Sequence, residues 1–207
     1  MFTWLHMPHL PRVPDHFVQQ ALDIAHGVDP SVGFPKEKNL VGTSYNEDYK
    51  NRKLLLDGKL YNSRHGERYP LSAEWEQWVR DNIAANFVET GVSLSVGVDT
   101  HIHGPHCDTP VKWKLYYLLE RGGDDAWTMF YKQKNKPIIQ YGELGKPVHA
   151  TDFNDVEELE RVQWPMHQWV ILDPNVMHAV TGITGARIMF AVSIEVDSVS
   201  FTIVPKV

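Results

Sequence analysis

The 207-residue chain has the length of one large domain, and a domain of that size buries enough surface to fold without disulfide or metal staples. Charged residues make up 22% of the sequence and apolar residues 43%, which excludes a mainly disordered or fibrous chain. The formal net charge of −6 argues against a broad phosphate-binding surface, so nucleic acid is a disfavoured partner.

The sequence also bears on the compartment. Cys107 is the only cysteine, so it has no partner for an internal disulfide and requires no oxidising environment. Residues 1–14 contain prolines and histidines where a secretory signal would carry an unbroken apolar run. No stretch approaches the ~20 apolar residues that cross a bilayer. We therefore expect a cytoplasmic protein that does not use a membrane as a partner.

Two amphipathic helices are predicted in the first 90 residues. The first covers 15–26 and ends before Gly27, with apolar residues at helical spacing: Phe17, Val18, Ala21, Ile24 and Ala25. The second begins after Ser72, a residue type that caps helix N-termini, and carries a similar apolar stripe: Trp75, Trp78, Val79, Ile83 and Phe87. Between them, residues 28–69 are irregular and rich in turn-forming pairs.

From Gly91 onward the pattern changes to strands separated by turn signals. The predicted strands are 92–99, 111–120, 127–132, 137–140, 159–164, 168–173, 178–181, 186–196 and 198–204. Two helices followed by about eight or nine strands indicate a mainly β fold, either a sandwich or a barrel, with the helices packed on one face. Because neither a linker nor a repeat divides the sequence, we expect a single domain over 1–207. Residues 1–90 would form a helical support and 91–207 a β-barrel catalytic core.

The last long predicted strand indicates where a polar ligand would lie. Side chains of a strand alternate between two faces, and one face here is wholly apolar: Ile188, Phe190, Val192 and Ile194. We expect that face to pack against the helices. The other face is mostly small or polar and consists of Arg187, Met189, Ala191 and Ser193. Burial of Arg187 there would be costly unless an anion accompanied it.

The strongest chemical signal is His106-Cys107-Asp108, because two metal-competent side chains separated by one residue emerge on the same side of an extended backbone. His178, which precedes a short predicted strand, would supply a third ligand. Two imidazoles and one carboxylate on one face of an octahedron leave three positions open, the arrangement of non-haem Fe(II) oxygen chemistry. His101 and His103 form a rival pair, and either could replace one of these ligands or assist beside them.

Two segments resemble the catalytic core of the 2-oxoglutarate- and Fe(II)-dependent oxygenases, in the style of the prolyl-hydroxylase branch. They are PHCDTPVKWKLYYLLERGGDDAWTMFY and LERVQWPMHQWVILDPNVMHAVTGITGARIMFAVSI, within about residues 98–196. The resemblance implies a double-stranded β-helix, the jelly-roll of cupin-like proteins, with the N-terminal helices packed on one sheet. It also implies that His106, Asp108 and His178 ligate Fe(II).

The same resemblance implies where the co-substrate binds. Arg187 lies nine residues beyond His178 and would hold the far carboxylate of 2-oxoglutarate with its planar guanidinium. Tyr117, in a Tyr-Tyr-Leu run typical of the family, would hydrogen-bond the same carboxylate, and Ser193 is a further candidate contact on the Arg187 face. Asp173 departs from the family pattern, where an aromatic or apolar residue is usual.

The implied activity is hydroxylation of a substrate with decarboxylation of 2-oxoglutarate to succinate, and ascorbate is an additional cofactor that the resemblance allows. A prolyl residue is the substrate that the motifs suggest, while a free amino acid, another small molecule or a modified base also fits. Two alternatives remain open. One is a cupin-type metalloenzyme that does not use 2-oxoglutarate, and the other is a non-catalytic sensor module that binds a metal and a ligand.

Overall fold

The computed structural model describes residues 2–26, 53–56, 59–62, 68–96, 105–108, 113–134, 139–141, 147–150 and 153–194. It contains the helices α1 (Asp15–Ala25) and α2 (Ala73–Asn82) and a short 3-10 helix, Phe153–Asp155. The strands are β1 (Trp4–His6), β2 (Lys53–Leu56), β3 (Lys59–Asn62), β4 (Arg68–Tyr69), β5 (Glu89–Val96), β6 (His106–Cys107), β7 (Trp113–Arg121), β8 (Trp127–Gln133), β9 (Ile139–Tyr141), β10 (Pro147–Ala150), β11 (Val156–Val162), β12 (Trp169–Leu172), β13 (Met177–Thr181) and β14 (Ala186–Ile194).

The strands form two antiparallel sheets of six strands each and a separate hairpin of β2 and β3. Sheet I has the order β1-β12-β7-β14-β5-β4, and sheet II has the order β11-β8-β13-β6-β10-β9. Within the described ranges no hydrogen-bonded strand pair joins the two sheets, so they remain open sheets rather than one closed barrel. The protein is therefore mainly β with two helices, as the strand pattern predicted.

The helices pack on the outer face of sheet I. The Ser72 hydroxyl accepts a hydrogen bond from the Trp75 backbone N–H at 3.2 Å, which confirms Ser72 as the N-cap of α2. The indole of Trp75 stacks on Phe190 of β14 at 4.4 Å and meets Phe17 of α1 edge-on at 5.3 Å. The apolar stripes of both helices thus converge on the middle of this sheet, as predicted.

Strand β14 lies in the interior of sheet I, and all nine of its residues are buried. The predicted apolar face packs in the same core as the helices, and its members are Ile188, Phe190, Val192 and Ile194. Met189, on the opposite face, belongs to a second apolar cluster with Leu118 and Trp164. This second cluster occupies the inner side of sheet I, so the predicted division of β14 into two faces is confirmed.

The first 90 residues differ from the predicted helical support, because they also contribute strands. Strands β1 and β4 form the two edges of sheet I, and β5 begins at Glu89. Thr3 donates to Glu160 Oε2 at 2.6 Å and Trp4 Nε1 donates to Glu160 Oε1 at 3.1 Å, which ties the β1 segment to β11 of sheet II. A strand of three residues has too little alternation to be recognised in the sequence.

The bounds of the other predicted strands differ from the observed ones by a few residues. The predicted strand 198–204 lies outside the described residues. Among the described residues, no helix has the length and hydropathy required to span a lipid bilayer.

Candidate metal centre

The structure brings His106, Asp108 and His178 together. His106 of β6 and His178 of β13 are register partners on adjacent antiparallel strands, and their ring centroids lie 4.8 Å apart. Directly opposed residues project to the same face of a sheet, so the pairing of two short strands suffices to assemble two imidazoles. Cys107, between the ligands in sequence, points the other way and packs against the outer apolar cluster of sheet II.

The carboxylate of Asp108 lies between the two imidazoles. Its Oδ1 is 3.5 Å from His106 Nε2, and its Oδ2 is 3.3 Å from His178 Nε2. Ligands about 2.1 Å from a metal at adjacent octahedral positions are about 3 Å apart, so the three side chains need only small shifts to hold an ion. One ligand atom from each residue lies within 4.8 Å of the other two.

The hydrogen bond of His178 shows which nitrogen faces the centre. Nδ1 is 2.9 Å from the Val176 carbonyl oxygen, which can only accept, so Nδ1 carries a proton. Nε2 of a neutral His178 therefore presents a lone pair towards the Asp108 carboxylate. Two electron-rich atoms in this position require a shared proton or a metal ion between them, and the donor set suits a divalent cation such as Fe(II).

The turn formed by residues 173–176 contacts two of the three candidate ligands. The Asp173 carboxylate accepts hydrogen bonds from the Asn175 backbone N–H at 2.9 Å and from Asn175 Nδ2 at 3.1 Å. The ordered turn presents the Pro174 carbonyl to the Asp108 backbone N–H at 2.8 Å and, through Val176, a carbonyl to His178. The residue that departs from the family pattern thus has a local role in this chain.

Lys114 of β7 forms an ion pair with the carboxylate of Asp108. Its Nζ is 2.5 Å from Asp108 Oδ2, and its side chain is 14% exposed. Burial alone would raise the pKa of Asp108, but the ammonium of Lys114, together with hydrogen bonds from His106 and His178 when a proton is on the nitrogen that faces the carboxylate, outweighs it and holds that pKa well below its usual range. The carboxylate is therefore ionised and ready to bind a cation at neutral pH.

Arg187 lies inside the molecule, between the sheets, with 1% of its surface exposed. Its guanidinium donates to the Arg121 carbonyl oxygen at 3.2 Å and to the Thr128 hydroxyl at 3.2 Å. Thr128 pairs with Val180 across β8 and β13, two residues from His178. Residues two apart on a strand share a face, so the guanidinium contacts the same inner face of sheet II that carries His178.

The surroundings of Arg187 are rich in donors and lack a counter-charge. Within the described part of the chain, no carboxylate pairs with Arg187, and three buried N–H groups have no acceptor: Arg187 Nε, Arg121 Nε and Trp164 Nε1. The Arg187 guanidinium lies 5.4 Å from the ring centre of Trp164. Burial and the neighbouring Arg121 lower the pKa of Arg187 to about 10, so it is still charged at neutral pH. Unsatisfied donors around a buried cation fit an anionic, acceptor-rich ligand.

The structure does not place Tyr117 beside Arg187. Tyr117 lies on the helix-facing side of sheet I, packed on Trp169 at 5.2 Å and on Phe190 at 6.3 Å. Arg187 lies on the opposite face, so the hydroxyl of Tyr117 is directed away from the guanidinium. The neighbouring Tyr116 occupies the inner face and stacks on Trp164 at 5.3 Å. Tyr116, rather than Tyr117, is the tyrosine of that pair near Arg187.

Ser193 is buried on the inner face of β14, as predicted, but it pairs with Lys114 across β7. Six residues of strand separate its Cα from that of Arg187 by roughly 20 Å, so Ser193 lies at the Lys114 end of the strand. His101 and His103, the rival ligand pair, lie outside the described residues.

Four residues of the site escaped the sequence reasoning: Lys114, Arg121, Thr128 and Trp164. The alternation of β7 offered one usable signal, because a lysine two residues before Tyr116 must share its face of the sheet. Thr128 and Trp164 approach Arg187 only through packing between distant strands, which no local spacing reveals.

Comparisons with protein-family models, curated proteins and solved structures found no match for this chain. The fold and the site define a mainly β protein with a His-Asp-His cluster and a buried guanidinium on the inner faces of its sheets.

Proposed function

We propose that this protein is a 2-oxoglutarate-dependent Fe(II) dioxygenase that hydroxylates a substrate and converts 2-oxoglutarate to succinate. The observation that carries the proposal is the combination of three convergent ligands with a buried arginine that has no acidic partner among the described residues. A metal-binding cluster alone would suit many enzymes. The additional guanidinium calls for a small anion beside the metal, and 2-oxoglutarate has a carboxylate at each end.

Each residue has a defined part in this proposal. His106, Asp108 and His178 hold Fe(II) and leave three of six positions open. Arg187 binds the far carboxylate of 2-oxoglutarate, with Thr128 orienting the guanidinium. When bound, Fe(II) and 2-oxoglutarate together supply the oxidising chemistry, in which decarboxylation of the 2-oxo acid provides two electrons for the activation of dioxygen.

The interior between the sheets excludes water from the reaction. Its apolar cluster includes Trp164, Met189 and Leu118, and Tyr116 packs against it. A low-dielectric environment strengthens the attraction between the Arg187 guanidinium and a carboxylate. The two antiparallel sheets, with helices outside sheet I and polar residues inside, support a cupin-type double-stranded β-helix as the finer description of the fold.

The proposal is tested by an anaerobic titration of the metal-free protein with Fe(II) and then with 2-oxoglutarate. We expect a visible charge-transfer band that requires both additions and that the His178→Ala variant lacks. The exposed His16→Ala variant is the matched control and should retain the band. A folded wild-type protein that gives no band would overturn the proposal.

Turnover separates the proposal from its two alternatives. We expect release of succinate under air, stimulated by the correct member of a panel of grouped substrates that includes prolyl peptides. Metal-dependent conversion of a substrate without any need for 2-oxoglutarate would instead identify a cupin-type enzyme. Binding of both Fe(II) and 2-oxoglutarate without succinate, across the whole panel, would identify a sensor module.

A further inference from the structure

Lys114 contacts the carboxylate of Asp108 directly, and the proposed reaction gives it no role. We propose that Lys114 is a positioning residue that restricts Asp108 to a single metal-bonding oxygen, which keeps three metal positions open. This inference rests on the proposed function, because it concerns the same metal centre.

The contacts of the two carboxylate oxygens differ. Oδ2 receives a charge-assisted hydrogen bond from the Lys114 ammonium at 2.5 Å and also lies 3.3 Å from His178 Nε2. Oδ1 lies 3.5 Å from His106 Nε2 and does not receive the hydrogen bond from Lys114. A hydrogen bond of this kind draws electron density from Oδ2 and weakens it as a donor to a cation. Oδ1 is then the oxygen that bonds to the metal.

The number of bonding oxygens matters because carboxylates bind metal ions through one oxygen or through two. Two histidines and one oxygen of Asp108 leave three positions of an octahedron, which is two for a chelating 2-oxo acid and one for the other reactant. If both oxygens of Asp108 bonded to the metal, two positions would remain. The 2-oxo acid would then fill the centre or bind through only one of its oxygens.

Backbone hydrogen bonds hold both partners of the ion pair. Lys114 lies on β7, which pairs with β12 on one side and with β14 on the other. The backbone of Asp108 is fixed by its hydrogen bond to the Pro174 carbonyl at 2.8 Å. These backbone contacts keep the ammonium on Oδ2, so Oδ1, which faces His106, is the oxygen left to bond a cation held by the two histidines.

The test uses Co(II), whose visible spectrum reports coordination number and which does not react with dioxygen in the assay. Four proteins are compared: wild type, Lys114→Met, Lys114→Arg and the exposed control Lys132→Met. The affinities for Co(II), and for 2-oxoglutarate in the presence of saturating Co(II), are measured separately. We expect Lys114→Met to bind Co(II) with an altered spectrum and to bind 2-oxoglutarate about tenfold more weakly.

Lys114→Arg keeps a cationic donor and should restore both the spectrum and most of the 2-oxoglutarate affinity, while Lys132→Met should match wild type. An unchanged spectrum and unchanged 2-oxoglutarate affinity in Lys114→Met would overturn the inference and leave the proposed function intact. A wild-type protein that binds no Co(II) would overturn the proposed function itself.

A crystal structure of the Co(II)-loaded wild type provides a second measurement, which does not depend on how the variants fold. One Asp108 oxygen on the metal and the other on Lys114 Nζ is the expected result. Both carboxylate oxygens on the metal would overturn the inference, even if Lys114→Met failed to fold.

Discussion

Arg187 on β14 donates a hydrogen bond across the interior to the hydroxyl of Thr128 on β8, and this contact connects the inner faces of the two sheets. Arg187 belongs to a strand of sheet I, and its guanidinium contacts a residue of sheet II. A ligand held by Arg187 would therefore be bound between the two sheets.

Replacement of Arg187 by Ala should abolish specific 2-oxoglutarate binding and leave metal binding in place. Loss of one partner from a buried charge pair costs about 2–5 kcal/mol, which corresponds to a loss of at least about 30-fold in affinity. Isothermal titration of the metal-loaded protein measures the change. The exposed Arg161→Ala variant is the control. Retention of wild-type affinity by Arg187→Ala would contradict the assignment of the anion site.

The two adjacent tyrosines should behave differently when their hydroxyls are removed. Tyr116→Phe should weaken 2-oxoglutarate binding by about fivefold, the value of roughly one hydrogen bond, because Tyr116 shares the inner face with Arg187. Tyr117→Phe should leave that affinity unchanged, because the ring belongs to the helix-side core. If Tyr117→Phe weakened binding and Tyr116→Phe did not, Tyr117 would be the tyrosine that contacts 2-oxoglutarate, as the resemblance implies, and the geometry described above would be contradicted.

Removal of the Asp173 carboxylate should weaken the metal centre from a distance. Asp173→Ala loses both hydrogen bonds from Asn175, so the turn that contacts Asp108 and His178 becomes less ordered. Supporting groups of this kind typically change metal affinity by about 10–100-fold. Competition with a chelator of known affinity measures the effect, and the exposed Asp124→Ala variant should show none.

The thiol of Cys107 should react slowly with alkylating reagents in the metal-free protein. Burial, followed by the charges of Asp108 and Asp173, raises the pKa of Cys107 to about 11. Because the thiolate is the nucleophile, the folded protein at pH 8 should react about 200-fold more slowly than an ordinary cysteine of pKa about 8.5. Rates before and after unfolding in denaturant provide the comparison. Equal rates would show that the thiolate is not suppressed.

The helices and β14 could be predicted because their signals are local. Ser72 as a cap, the apolar stripe containing Trp75 and the alternation from Ile188 to Ile194 each lie within one element. Whether these elements form depends little on the rest of the chain. The pairing of His106 with His178 needed a resemblance to suggest it, because β6 is only two residues long.

The orientation of β7 could not be predicted, because both of its faces are apolar or aromatic. Leu115 and Tyr117 lie on one side and Tyr116 and Leu118 on the other, so alternation alone does not say which side meets the helices. The register decides it, since Tyr117 pairs with Phe190, whose ring stacks on Trp75 of α2. Such cross-strand information is absent from any single stretch of sequence.

The ion pair between Lys114 and Asp108 also bears on whether the chain can fold before it binds a cation. An uncompensated carboxylate in a partly buried position would oppose collapse of the chain until a cation arrived. Here the ammonium already neutralises it, in contrast to zinc fingers, which are unfolded without their ion. Under the proposed function, newly made chains would therefore reach their native state while iron is scarce and would be activated later, when the metal is supplied.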